Sequence, residues 1–432
     1  MGRNLSELLS KSLPSAQQDL LQRIAGEASA RRYPLYLVGG FVRDLLLGRP
    51  SLDFDLVLEG DAVVLAQALV EKYGGRVTAH TKFGTAKINI REWRIGRNPP
   101  PDFNSHNPPL SSIDLITARS EMYKHSAALP SVKMGTLADD LRRRDFSINT
   151  LAIRLDGAFF GELRDDLGGL ADLEQGIIRV LHSHSFLDDP TRMYRAVRYE
   201  QRFGFQIKPE TLGLVPEARS LIDRLSPQRI RHELELTLEE SNVPAVLTRL
   251  AELDLLKPIH AALSVDQDSL RRLSQVPMMP PYSVPKLTRS NLGWIIWLMP
   301  NAEKQIESLN RRLHFTAPLY EALLAACKIF GELPKLAGGK PSQHVERLDR
   351  FPLLAVYAVY VAAPDGRPRQ ALENYLLDWR HVMPKTTGHE LKAIGIKPGP
   401  RYQEILSRLR EAWLDGEVSS ETQESSLLQS LL

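Results

Sequence analysis

In the first 155 residues, short runs of apolar, β-branched and aromatic positions alternate with stretches in which apolar residues recur every three or four places. The pattern predicts strands over 36–38, 54–58, 76–79, 84–90 and 112–117, and helices over 17–29, 41–47 and 62–72. A proline-rich insertion from Gly96 to Pro109 separates two of these strands and reads as an exposed loop. From Asp165 onward the periodicity turns helical, with long stretches rich in Leu, Arg and Glu. It is broken at Pro277, Pro280, Pro281 and Pro285, and again between Gly388 and Pro400. The expected fold class is therefore α+β: a mixed α/β head followed by an all-α remainder.

Composition adds mainly exclusions. At 432 residues and 43% hydrophobic the chain can bury ordinary cores in two to four domains. Its longest apolar run, Leu292 to Met299, is far short of the roughly 20 residues of a membrane helix. The N-terminus has no apolar signal core, so a cytoplasmic location with no membrane partner is expected. Cys327 is the single cysteine, which excludes an intrachain disulfide and a thiolate zinc site. A net charge of +3 makes no global case for nucleic acid, so any such case rests on local patches.

The most informative residues are Asp53 and Asp55. On a strand, residues two apart face the same way, so both carboxylates would point to one side while Phe54 and Leu56 pack inward. Two such charges are stable together only if one is protonated or a cation sits between them, and a divalent metal is the simpler answer. Upstream, Gly39-Gly40 ends a strand and opens a helix. There, unpaired N–H groups favour an anion, although such pairs are common in proteins that bind nothing. Followed by Arg43 and then Asp-x-Asp, the turn reads as a nucleoside triphosphate site. Asp114, a charge within an apolar strand, is either a third carboxylate beside the metals or an edge residue facing water. Arg142 to Asn149 is either a solvated helix end or a cluster in which Asp145 and Asn149 meet ribose hydroxyls and the arginines meet phosphates.

In the helical part, Asp189 reads as an N-cap with Pro190 in the first helical position. Arg192, Arg195, Arg198 and Arg202 share one flank of the following helix, opposite Met193, Ala196, Val197 and Phe203, which predicts a basic, ligand-facing side. Asp189 and Arg192, one turn apart, pair an acceptor with a donor. That order suits the Watson–Crick edges of cytosine and adenine and rejects guanine and uracil. His182 and His184 have no clustered acidic partner and are read as loop residues, not ligands.

The chain resembles the bacterial class II tRNA nucleotidyltransferase and poly(A) polymerase family, the CCA-adding enzymes and their CC- and A-adding relatives. The matching segments lie in family order at 38–48, 53–55, 113–121, 143–149, 166–173, 188–199, 202–205 and 226–233, with a tail from Gly388 to Gly416. The resemblance implies a nucleotidyltransferase head over 1–155, a neck over 156–240, a helical body over 241–375 and a tRNA-binding tail over 376–432. It implies that Asp53 and Asp55 bind two Mg²⁺ ions beside Asp114, all three being catalytic. Nucleotide contacts would come from Gly39, Gly40, Arg43, Arg144, Asp145, Asn149, Asp189, Arg192, Arg195 and Arg198. Residues 119–137 would form the loop used in switching from C to A. The implied substrates are a tRNA 3′ end, ATP and CTP. The motif at 188–192 and the Ala128-Leu129-Pro130 segment look closer to the A-adding branch, which would work beside a separate CC-adding enzyme. A poly(A) polymerase, or a catalytically silent RNA-binding relative, are the alternatives. The second would be expected to lose a metal carboxylate, and Asp53 and Asp55 are both present.

Overall fold

The computed structural model describes residues 3–49, 54–90, 93, 111–122, 131–279, 284 and 287–432. Asp53, the whole proline-rich insertion from Gly96 to Pro109 and residues 123–130 therefore lie outside the described residues. The chain divides into two compact units, 1–225 and 226–432.

The first unit begins with α1 (Ser6–Ser12) and α2 (Ser15–Ala30), followed by β1 (Leu35–Val38), α3 (Gly40–Leu46), β2 (Asp55–Leu58) and α4 (Ala62–Tyr73). Next come β3 (Arg76–His80), β4 (Thr85–Asn89), β5 (Ser112–Thr117), β6 (Arg119–Met122), β7 (Ser131–Met134) and α5 (Leu137–Arg142). The unit continues through β8 (Ala152–Arg154), β9 (Leu163–Arg164), α6 (Gly169–Gln175), β10 (Ile177–Ile178), α7 (Ser185–Asp188), α8 (Thr191–Phe203) and β11 (Gln206–Ile207). All five predicted strands and all three predicted helices form, with ends moved by one or two residues.

Seven strands make one sheet in the order β3-β4-β5-β2-β1-β8-β9, in which only β2 and β5 run parallel. Alternation along the strands sorts the faces. Leu35, Leu37, Leu56, Leu58, Ile113 and Leu115 are buried on the side that α2 and α4 cover. Tyr36, Val38, Val57 and Ala152 point the other way and pack with Ala118 and with Leu137 and Leu141 of α5. β1 is buried along its whole length because it has a layer on each side. β6 and β7 pair as a separate hairpin, so part of the predicted switching loop is ordered strand. The helical reading after Asp165 needs one correction, the parallel pair β10–β11. Each of those strands is two residues long, too short to leave a period-2 signal.

Among its described residues the second unit forms helices and no strand. A run of apolar residues in the helix Arg289–Leu298 is buried on every side and packs against Pro227–Leu238, Gln267–Leu273, Ala317–Gly331 and Leu353–Ala362. A smaller core of Leu391, Ile405 and Leu409 holds the last helices together, with Leu427, Leu428 and Leu431 against it. Among the described residues no helix is long and apolar enough to cross a membrane.

Candidate active site

The strand register brings the acidic residues together. Asp55 is the first residue of β2 and is exposed, whereas the next three positions are fully buried. β2 and β5 run parallel with Asp55 directly opposite Asp114, and Lys87 on β4 stands opposite Asp114 in turn. The three side chains therefore share one sheet face on adjacent strands about 4.8 Å apart. Lys87 Nζ lies 3.5 Å from Asp114 Oδ2, with both side chains about half exposed, so the pair is weak and exchangeable. Of the two readings of Asp114, this register favours a carboxylate beside Asp55. Phe54 is buried and packs edge-on against Phe41, with ring centroids 5.0 Å apart.

β1 ends on this side of the sheet, because Leu37 pairs with Leu56 and Val38 then stands beside Asp55. Gly39 follows at φ 69° and ψ −127°, a conformation reserved in practice for glycine. A Cβ there would lie 2.3 Å from Arg144 Nη1, so the missing side chain is what lets the guanidinium lie on the turn. Arg144 donates from Nη1 to the Asn149 carbonyl at 3.4 Å and from Nη2 to Asp140 at 3.0 Å.

Arg43 does not point into open space. It is buried, and it donates to Asp44 and, at 2.6 Å, to Asn149 Oδ1. Its guanidinium lies over the rings of Tyr199 and Phe203. Asn149 donates in turn to Asp145 Oδ1 at 2.8 Å, and Arg195 Nε donates to Asp145 Oδ2 at 2.8 Å. One buried chain, Arg43–Asn149–Asp145–Arg195, thus ties the glycine turn to α8. Burial pushes the Asp145 carboxyl up, but Arg195 and Asn149 outweigh it and hold the group below its ordinary value of 3.8.

At the start of α8, Asp189 is extended and accepts from the Thr191 N–H at 3.0 Å and its hydroxyl at 2.6 Å, while Pro190 already has helical dihedrals. The predicted basic, ligand-facing flank is corrected in part: with α7, β10 and β11 packed against the helix, Arg192 and Arg198 are only 6% and 3% exposed, whereas Arg195 is half-buried and Arg202 is exposed. Arg192 donates to Ser185 Oγ at 2.7 Å and to the Arg143 carbonyl at 2.8 Å, which uses two of its five N–H donors. His182 and His184 flank a short turn, with His182 3.9 Å from Asp188. Among the described residues no group of three or more His, Cys, Asp and Glu could hold a metal ion.

Asp140, Lys87 and Tyr199 were not picked out from the sequence, and Phe203 was read only as part of the apolar flank of its helix. Asp140 did leave a signal, since it stands three and four residues before Arg143 and Arg144, the spacing at which helical side chains meet.

A mixed sheet with register-paired carboxylates beside a glycine strand-to-helix turn defines a nucleotidyltransferase-type head. Comparison with known proteins agrees. Residues 35–179 match the poly(A) polymerase head domain, and 204–265 match a probable RNA- and SrmB-binding site of polymerase A. An A-adding tRNA nucleotidyltransferase of Halalkalibacterium halodurans is 31% identical over 414 residues, 93% of this chain and 90% of that protein. Another of that name, from Geobacter sulfurreducens, is 31% identical over 98% of this chain, which spans only 48% of that longer protein. The structure of the Thermotoga maritima CCA-adding enzyme complexed with tRNA superimposes with a TM-score of 0.75 at 28% identity, covering 100% of this chain and 99% of that one. The chain belongs to the tRNA nucleotidyltransferase and poly(A) polymerase family.

Proposed function

We propose that the protein is a template-independent tRNA nucleotidyltransferase that adds CCA, or only its terminal A, to tRNA 3′ ends, consuming CTP and ATP, or ATP alone, and releasing pyrophosphate. The observation that carries the reading is the pairing of Asp55 with Asp114 on one face, at the end of the sheet where the Gly39 turn emerges. The kinship to two A-adding enzymes supports the narrower, A-only activity, which requires a CC-adding partner.

The donor set is all carboxylate oxygen, which suits a hard divalent cation such as Mg²⁺, and enzymes of this family generally use one. Asp53 and Asp55, with Asp114, would hold it. Bound there, the metal supplies Lewis-acid activation of the RNA 3′-hydroxyl and charge neutralisation on the leaving pyrophosphate. The rest falls to the chain itself. Gly40 opens the helix with its backbone N–H toward the triphosphate, while the Gly39 N–H is held by the Leu151 carbonyl at 3.0 Å and Gly39 gives the room in which Arg144, lying across it, adds a cation. Asn149 and Asp145 meet the ribose, with Arg43 and Arg195 fixing their orientation. Asp189 and Arg192 present an acceptor and the remaining donors to the base edge. Arg198, buried on the same helix, supports that surface. The head, neck, body and tail boundaries at 155, 240 and 375 belong to this proposal.

The test is single-nucleotide incorporation with Mg²⁺ into tRNA transcripts ending before CCA, after one C and after both. A entering only the CC-ended transcript gives the A-adding enzyme, and C followed by A gives the complete one. Long A tails on unrelated RNA would make it a polymerase, and no incorporation into any transcript would refute the reading.

A further inference from the structure

Among the described residues near this site, Asp140 is the one fully buried carboxylate, at 0% exposure. Its Oδ1 accepts from Arg143 Nε at 2.9 Å and Nη2 at 2.5 Å, and its Oδ2 accepts from Arg144 Nη2 at 3.0 Å. The helix that carries it is firmly based. Thr136 and Asp139 cap α5 reciprocally, and the Leu137 N–H donates to Glu59 at 2.7 Å. Leu137 and Leu141 are packed into the sheet.

A carboxylate buried against two cations is a poor stabiliser compared with apolar packing, so stability alone does not account for it. Its effect on direction does. With one oxygen bound to each arginine, Asp140 lays the Arg144 guanidinium over Gly39, where Nη1 reaches the Asn149 carbonyl. The Arg144 Nε–H, also buried, has no acceptor among the described residues. On the other side Asp140 fixes Arg143, whose carbonyl accepts from Arg192 Nη2.

We propose that Asp140 is a positioning residue for nucleoside triphosphate. It never touches the nucleotide but aims Arg144 at the phosphates across Gly39. The inference rests on the proposed nucleotidyl transfer and on Arg144 as a phosphate contact. Outer partners of this kind change affinity by about 10- to 100-fold when removed.

The experiment measures KM for ATP and kcat on a tRNA acceptor, alongside thermal unfolding, for the unmodified protein, Asp140→Asn, Arg144→Ala and the double variant. Expected are a rise in KM of at least about tenfold for Asp140→Asn with a smaller change in kcat, and a double variant no worse than Arg144→Ala alone. An unchanged KM, a loss confined to kcat in step with a lost folded fraction, or effects of the two substitutions that multiply would each overturn the inference. If Asp140→Asn does not fold, Asp140→Glu, which keeps the charge and lengthens the reach, carries the same comparison. An unmodified protein that adds no nucleotide would instead sink the functional reading, so the two failures are distinct.

Discussion

Gly39→Ala tests the turn on which the site depends, and Gly48→Ala is its built-in control. Both glycines have φ of 69°, but a Cβ at Gly48 meets nothing within 4 Å, whereas at Gly39 it would sit 2.3 Å from Arg144 Nη1, 3.6 Å from Cζ and 3.7 Å from the Asn149 carbonyl. For Gly48 the expected loss is the left-handed penalty alone, about 1–2 kcal/mol. At Gly39 the backbone strain is about 1–3 kcal/mol. The alanine methyl also pushes a guanidinium held at both ends, and losing its charge-assisted bond to the Asn149 carbonyl adds about 1.5–3 kcal/mol. Together these come to about 2.5–6 kcal/mol. Each kcal/mol shifts the midpoint by about 2–4 °C in a unit of this size, so a fall of about 5–24 °C is expected for Gly39→Ala. Differential scanning of both variants measures it, and KM for ATP, rising for Gly39→Ala only, measures the functional part. Removing the obstructing guanidinium with Arg144→Ala should shrink the cost of Gly39→Ala toward the backbone term. If the two glycine variants melt together, or Arg144→Ala brings no relief, the close contact over the turn is wrong.

Asp55→Asn should abolish incorporation while shifting the midpoint by less than about 2 °C, because the residue is exposed and the substitution is isosteric; retained incorporation in a single-turnover assay would remove it from the metal site. Arg192→Ala should lower discrimination of A over G more than it raises KM for ATP, and competition between the two nucleotides measures this directly. Unchanged preference would place the base reader elsewhere. Acid should destabilise the protein through Asp145, Asp156 and Glu424, all held below their ordinary values despite burial, by Arg195, by Arg154 and by hydrogen bonds from Thr386, Lys385 and Trp413 respectively. Their folded values lie below the unfolded ones, so the contribution is whole above the ordinary values of 3.8 and 4.5 and is lost as pH falls through the folded values. A pH series of thermal midpoints should steepen there, and Asp145→Asn should remove part of the slope.

What was legible in the sequence follows the range of the forces involved. β1 to β5 were visible because alternation between two buried layers is local, and Asp53 and Asp55 stood out together as charges two apart at the opening of an apolar run. Its partner Asp114 could not be chosen between metal neighbour and edge residue, because that choice depends on the parallel register of β2 with β5, a contact between strands 59 residues apart. The arginines of α8 show the opposite limit. Their spacing gave the flank correctly, but spacing cannot tell a solvated cation from one whose donors are consumed by Ser185, Arg143 and Asp145. Arg43 belongs with them, since its partner Asn149 lies 106 residues away. Such partners also account for acidic and basic residues standing together in these motifs. Arg144 is held by Asp140 and the Asn149 carbonyl, Arg195 by Asp145, and Arg192 by Ser185 and the Arg143 carbonyl. A nucleotide bound as proposed would meet guanidiniums already oriented, at less entropic cost than ordering free side chains.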